Sequence, residues 1–144
     1  MITEDYVSFE TAKLLKEKGF DWPCHATYDT AVTGGKPKFS EYEVLSYFPY
    51  GMKNTDDKYS MIISAPTPQM AMKWLREKGF HIYSPMEIDY DEDERGDKWY
   101  HDAAYYPEIS RVSDGKIMYD DGALYATPEQ ACEVAIKYCL ENLI

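Results

Sequence analysis

The chain of 144 residues has few of the residues that most small-protein chemistry depends on. It holds three cysteines and three histidines. An odd cysteine count does not make a disulfide framework. A structural zinc site asks for four ligands in spaced pairs such as C-x2-C. Cys24 and His25 are adjacent, and the other histidines, His81 and His101, stand alone. No glycine-rich phosphate loop, G-x-S-x-G elbow or H-E-x-x-H helix is present. No run approaches the roughly twenty apolar residues a membrane-spanning helix requires. The opening MITEDYVSFE has neither a basic nor an apolar segment, so it does not read as a secretory signal. These absences lead to the expectation of a cytoplasmic protein with no cofactor, no metal and no membrane partner.

Positive charge is also scarce. Fifteen Lys and Arg stand against 26 Asp and Glu, a net charge of -11. Residues 1–65 carry -3 of this and residues 66–144 carry -8. Binding to a nucleic-acid backbone draws on phosphate neutralisation by Lys and Arg. So strong an acidic excess argues against direct nucleic-acid binding, and against anionic membranes for the same reason.

Aromatic residues are plentiful. They make up 15% of the chain, with 14 tyrosines, which excludes a disordered composition and suits a half-exposed sheet or an interface. The length fits one domain spanning residues 1–144.

Helix signals are the clearest local features. Ser8 is a good N-cap, and Phe9, Ala12 and Leu15 recur at helical spacing, predicting a helix over 9–18. Thr67 with Pro68 starts a second, whose face is Ala71, Trp74 and Leu75. Thr127, Pro128 and Gln130 start a third. Along it Cys132, Ala135, Ile136, Cys139, Leu140 and Leu143 form a continuous apolar stripe, with Glu133, Lys137 and Glu141 on the opposite, wetted face. Cys132 and Cys139 read as small core hydrophobes.

Two stretches, LLKEKGF (14–20) and WLREKGF (74–80), share five residues in register. Helix-stop chemistry explains them. Gly19 and Gly79 sit where the backbone turns left-handed, Leu15 with Phe20 and Leu75 with Phe80 make the accompanying apolar contact, and the cations suit the helix end. The two helices are therefore expected to turn into one sheet.

Strands are predicted over 25–32 and 41–48, as a hairpin around the turn 33–38, with loop over 49–58 and a short strand over 59–64. A strand over 81–90 is broken or bulged at Pro85. After a turn at 91–97 the chain returns over 98–106, turns at Ser113–Gly115, and forms a last strand over 116–126, bent at Gly122. The expected fold is α+β, a single antiparallel sheet of about 4–6 strands with three helices mainly on one face. From residue 66 onward the order α-β-β-β-α matches double-stranded-RNA-binding domains in order alone. Glu129 and Glu133 occupy the positions where such domains place basic residues.

Few constellations point to chemistry. Asp89 to Asp93 opens like a calcium loop, but positions six and twelve hold Glu94 and Tyr100, where an EF-hand needs Gly and Glu. A nucleophilic Cys24 would need a base such as His101 beside it. The aromatic group Trp99, Tyr100, Tyr105 and Tyr106 is the candidate binding site. Regular alternation puts Trp99, His101, Ala103 and Tyr105 on one face and Tyr100, Asp102, Ala104 and Tyr106 on the other.

The stretches ITEDYVSFETAKLLKEKGF, SAPTPQMAMKWLRE and ACEVAIKYCLENLI resemble a group of short, uncharacterised bacterial proteins, often prophage-associated. No activity is assigned to that group. The resemblance implies a small accessory protein of mobile-element origin in a bacterial cytoplasm. The leading expectation is thus a non-enzymatic protein that binds another protein or itself as a homodimer. The alternatives are an acidic DNA mimic blocking a nucleic-acid-binding protein, and a small enzyme using Cys24, His25 or His101 with nearby carboxylates.

Overall fold

The computed structural model describes residues 5–29, 45–56 and 62–144. Helix α1 (Phe9–Glu17) begins at Ser8, whose Oγ accepts the Thr11 N–H at 3.3 Å. Helix α2 (Pro68–Glu77) begins at Thr67, whose Oγ1 accepts the Met70 N–H at 3.3 Å. Helix α3 (Pro128–Asn142) repeats the device with Thr127 and the Gln130 N–H at 3.2 Å. Each cap satisfies a backbone donor that has no partner within its helix.

Both glycines take the left-handed conformation that the sequence predicts. Gly19 has φ +90° and Gly79 φ +103°. At the first stop the Phe20 N–H reaches the Leu15 carbonyl at 2.9 Å and the Gly19 N–H reaches Lys16 at 3.1 Å, the paired bonds of a Schellman ending. At the second the Gly79 N–H donates to the Arg76 carbonyl at 3.0 Å, and the Gly79 carbonyl accepts the Val112 N–H at 2.8 Å, which feeds Phe80 into a strand. Phe20 is buried and meets Trp74 edge-on at 5.5 Å, so the first helix stop packs against the second helix.

The expected single sheet is not what forms. The strands make three separate antiparallel sheets of three, three and two strands. In the first, β1 (Cys24–Asp29) lies between β2 (Leu45–Met52) and β3 (Ile62–Ser64). In the second, β7 (Glu108–Arg111) lies between β4 (Phe80–Tyr83) and β8 (Ile117–Tyr119). The third is a hairpin of β5 (Met86–Glu92) and β6 (Lys98–Tyr105). Pro85 divides the third sheet from the second. It cannot donate to a ladder, and the strand expected across 81–90 stops at Tyr83 and resumes at Met86 in a different sheet.

The two helix stops accordingly enter different sheets and at different places. The strand after α1 is central in its sheet, whereas the strand after α2 is an edge. The likeness of the two stretches ends at the stop itself. The last helix joins the two halves: α3 contacts α1, α2, β4 and β7, while α1 also contacts β3. One apolar cluster draws on all three helices and on the three-stranded sheets, including Leu15, Ile63, Leu75, Ile82, Ile109 and Ile136.

The hairpin expected over 25–48 is present as the β1–β2 pair, although its turn, 33–38, lies outside the described residues. The strand β2 runs on through Pro49–Met52, where loop was expected. Its ladder is irregular there: Ala26 pairs with Tyr47 and Cys24 with Met52. Pro49 lacks an N–H and Gly51 is left-handed at φ +74°, so the chain crosses this interval without regular pairing. Asn54 then ties the region together. Its Nδ2 donates to the Phe20 carbonyl at 2.8 Å and its Oδ1 accepts the Ser64 N–H at 2.9 Å, all within the interior.

The polar side of α3 is not merely wetted. One Glu133 oxygen accepts the Ser8 N–H at 3.0 Å, the Ser8 hydroxyl at 2.5 Å and the Thr11 hydroxyl at 2.6 Å. Lys137 reaches Glu10 at 2.8 Å. These residues fasten α3 to the start of α1.

Candidate functional site

The β5–β6 hairpin is an arm. Every residue of β5 and the first five of β6 are exposed. At its root Tyr105 and Tyr125 exchange backbone hydrogen bonds at 2.9 and 2.7 Å, and the Tyr106 N–H donates to the Pro85 carbonyl at 3.2 Å. The four predicted binding residues therefore divide. Trp99 and Tyr100 stand out on the arm, 56% and 68% exposed, while Tyr105 and Tyr106 are half-buried at its base. Burial and the carboxylates of Glu108, Asp120 and Glu87 raise the Tyr106 hydroxyl above its ordinary pKa, so it stays neutral.

Register decides what each face of the arm presents. Met86 pairs with Tyr105 and Ile88 with Ala103, but Tyr90 pairs with Tyr100. Two steps along β5 answer three along β6, which places a bulge at His101–Asp102. The extra residue reverses the expected alternation beyond it. Tyr100 joins Ala103 and Tyr105, opposite Met86, Ile88 and Tyr90; Trp99 and His101 share the other face with Glu87, Asp89 and Asp91. Side-chain contacts agree. The Tyr90 and Tyr100 rings lie 5.8 Å apart, Lys98 Nζ sits 4.5 Å over Tyr90, and His101 Nε2 meets Asp91 at 2.9 Å. The arm thus has an apolar, aromatic face and an acidic one.

The acidic tip is closed by its own backbone. Asp93 Oδ1 accepts the N–H groups of Arg95 at 2.8 Å and Asp97 at 2.9 Å, and Gly96 turns at φ +86°. Among the described residues no group of His, Cys, Asp and Glu is placed to hold a metal ion.

No match is found. No protein-family model, curated protein or solved structure matches the chain.

The cysteine chemistry considered from sequence is not assembled. Cys24 is buried in the first sheet, where its Sγ approaches the Trp22 carbonyl at 3.5 Å and Met70 Sδ at 3.8 Å. Burial pushes its thiol up to about 11, only partly offset by Ser64, so it is protonated at neutral pH. Burial likewise pushes Cys139 up to about 12, and raises Cys132 with help from Glu129. His101, the proposed base, is on the exposed arm and engaged by Asp91.

A cleft of about 740 Å³ lies between residues 5–8, Pro68, residues 124–126 and the first turns of α3. Tyr6, Leu124 and Val134 give it apolar walls, and Asp5, Glu129 and Glu133 give it negative charge. Ser8 borders it, but its hydroxyl is held by Glu133, with no histidine among the residues lining the cleft. Tyr125 connects this cleft to the root of the arm through its pairing with Tyr105. The sequence placed no site there, because its walls come from three stretches, residues 5–8, Pro68 and residues 124–134, that lie more than fifty positions apart.

Among the described residues no helix is long and apolar enough to cross a membrane.

Proposed function

We propose that this chain is a non-enzymatic accessory protein that acts by docking its β5–β6 arm on another protein. The exposure of the arm's apolar face carries this reading. Met86, Ile88, Tyr90 and Tyr100 are all between 44% and 68% exposed, on a two-stranded element with no further strand beside it among the described residues. A lone hairpin is marginal in water, and contiguous exposed apolar side chains mark interaction surfaces. Met and Tyr are also among the residues enriched at protein interfaces. The resemblance to prophage-associated proteins fits an accessory role in a bacterial cytoplasm.

A photo-crosslinking residue placed at Tyr100 tests this in living cells. An adduct with a discrete protein is expected at that position and not at Lys13, which is exposed on α1. Equal labelling from both positions, or none, counts against the arm.

A DNA-mimic role is the second reading, favoured by one observation. Glu87, Asp89 and Asp91 stand in single file along one edge of the arm, spaced about 6.8 Å apart by the strand rise. Such a row resembles a strand of phosphates more than charges interspersed with lysines would. Duplex DNA should then compete with this chain for the protein crosslinked at Tyr100. Neutralising the row with Glu87→Gln, Asp89→Asn and Asp91→Asn should end the competition. Capture indifferent to DNA removes the mimic reading.

A further inference from the structure

Along β5, Met86, Ile88 and Tyr90 alternate with Glu87, Asp89 and Asp91, the pattern of a strand with one face buried and one in water. The bulge in β6 keeps Tyr100 on the apolar side, so the alternation holds across both strands. Among the described residues none covers that apolar face. Resting on the reading of the arm as a docking element, we infer that its partner is a protein surface bearing an apolar patch bordered by Lys and Arg, and not a second copy of this chain.

Charge selects between those occupants. Residues 86–105 hold eight carboxylates against Arg95 and Lys98, a net -6 out of -11 for the chain. Two arms stacked face to face would bring -6 and -6 together with backbones roughly 10 Å apart, near one Debye length at physiological salt, the carboxylates of Glu87, Asp89 and Asp91 lying further out on the far faces. Like charges so placed oppose association. Area offers little to overcome that. Four exposed apolar-face side chains supply about 500 Å² per copy, so a symmetric pair would bury about 1,000 Å², the floor for a specific interface. A partner with cations around its apolar patch turns the same charges into attraction and faster encounter. Trp99, on the acidic face beside Asp91 in the ladder, adds a ring over which a guanidinium can stack.

The test uses the full chain, labelled with 15N, and an acetylated, amidated octapeptide alternating Arg with Val. Amide shifts confined to residues 86–104 are expected. The same peptide with Gly for Val should bind about tenfold more weakly, and so should Ile88→Ser with the original peptide. Asp89→Asn with Asp91→Asn should weaken binding and flatten its salt dependence. A peptide with Glu for Arg should not bind. Equal binding of the Gly peptide, or shifts shared by carboxylates over the whole chain, overturns the inference by showing charge attraction alone. Equal binding of the Glu peptide overturns its charge half and leaves the docking arm intact. Light scattering separates the remaining case. A dimer abolished by Ile88→Ser, with no peptide binding, makes a second copy the occupant and keeps the arm as a docking element. A monomer that binds no peptide and crosslinks nothing at Tyr100 ends both readings.

Discussion

Replacing glycine by alanine at three positions separates backbone strain from crowding. Gly19 and Gly79 both adopt left-handed φ, and a Cβ built on either meets nothing within 4 Å. The cost there is conformational alone. A left-handed non-glycine residue costs roughly 1–2 kcal/mol, offset by the freedom alanine removes from the unfolded chain, leaving about 1 kcal/mol. For a chain of this length that is a fall of about 3 °C in the melting midpoint. Gly51 is different: at φ +74° its added Cβ would lie 3.0 Å from Pro23 Cβ. Crowding a packed site adds about 1–2 kcal/mol, so Gly51→Ala should lose about 2–3 kcal/mol. Urea denaturation followed by circular dichroism measures all three on one scale. Gly19→Asn should recover part of the loss, since asparagine tolerates this conformation. The reasoning is refuted if Gly19→Ala leaves the midpoint unchanged, or if Gly51→Ala costs no more than the helix-stop variants.

The remaining predictions concern the interior and its polar ties. Asn54→Ala strands the Phe20 carbonyl and the Ser64 N–H in the interior and should cost about 2–4 kcal/mol by urea denaturation; a loss below about 0.5 kcal/mol would mean water replaces the amide. None of the three cysteines should react with a thiol reagent in the native state at pH 8, because all are buried with raised pKa values; labelling should proceed only as fast as the fold opens. Prompt modification of one thiol would contradict that burial. Glu10 is held below its ordinary value by its hydrogen bond to Lys137, so its contribution is present above about pH 4.5 and is lost as pH falls through the lowered value. Lys137 is raised by the same contact, so its contribution is lost as pH rises through its own value, above 10.5. Lys137→Met should therefore lessen acid sensitivity relative to the parent, and an unaltered acid limb would show that this exposed pair does not tie α3 to α1.

Local chemistry was legible in the sequence, and long-range arrangement was not. The three N-caps and both glycine stops were readable because each depends on residues within four or five positions of one another. The apolar stripe of α3 was readable for the same reason, and its Cys132, Ala135, Ile136, Cys139 and Leu140 are buried. The strand β7 was missed: Glu-Ile-Ser-Arg carries one apolar residue and no alternation, yet it is the centre of its sheet, with Glu108 buried and its carboxylate accepting from the Tyr83 hydroxyl. No short window reveals a strand whose burial comes from both neighbours. The separation of the β5–β6 hairpin from the second sheet turned on Pro85, which the sequence identified as a break without showing that the chain leaves one ladder for another. Trp99 and Tyr100 were singled out as an aromatic group, but their faces were exchanged, because a bulge reads as an ordinary residue. Glu133 illustrates the opposite error. Its position on the polar side of α3 suggested water, and its partners, Ser8 and Thr11, are more than a hundred residues away.

That bulge gives the arm an unusual kind of evolutionary lever. On most surfaces, altering what is displayed requires changing side chains one by one. Here a single residue inserted in β5 beside Asp89, opposite the bulge, would restore one-to-one pairing and turn the outer segment of the arm by half a turn, carrying Trp99 to the side of Met86 and Ile88 and Tyr100 to that of Glu87 and Asp89, with every amino acid of the tip retained. The change would leave the helices and both three-stranded sheets untouched, since the arm meets them only at its root. Partner choice could therefore drift by a change of length in this segment, on a timescale unconnected with the constraints on the core.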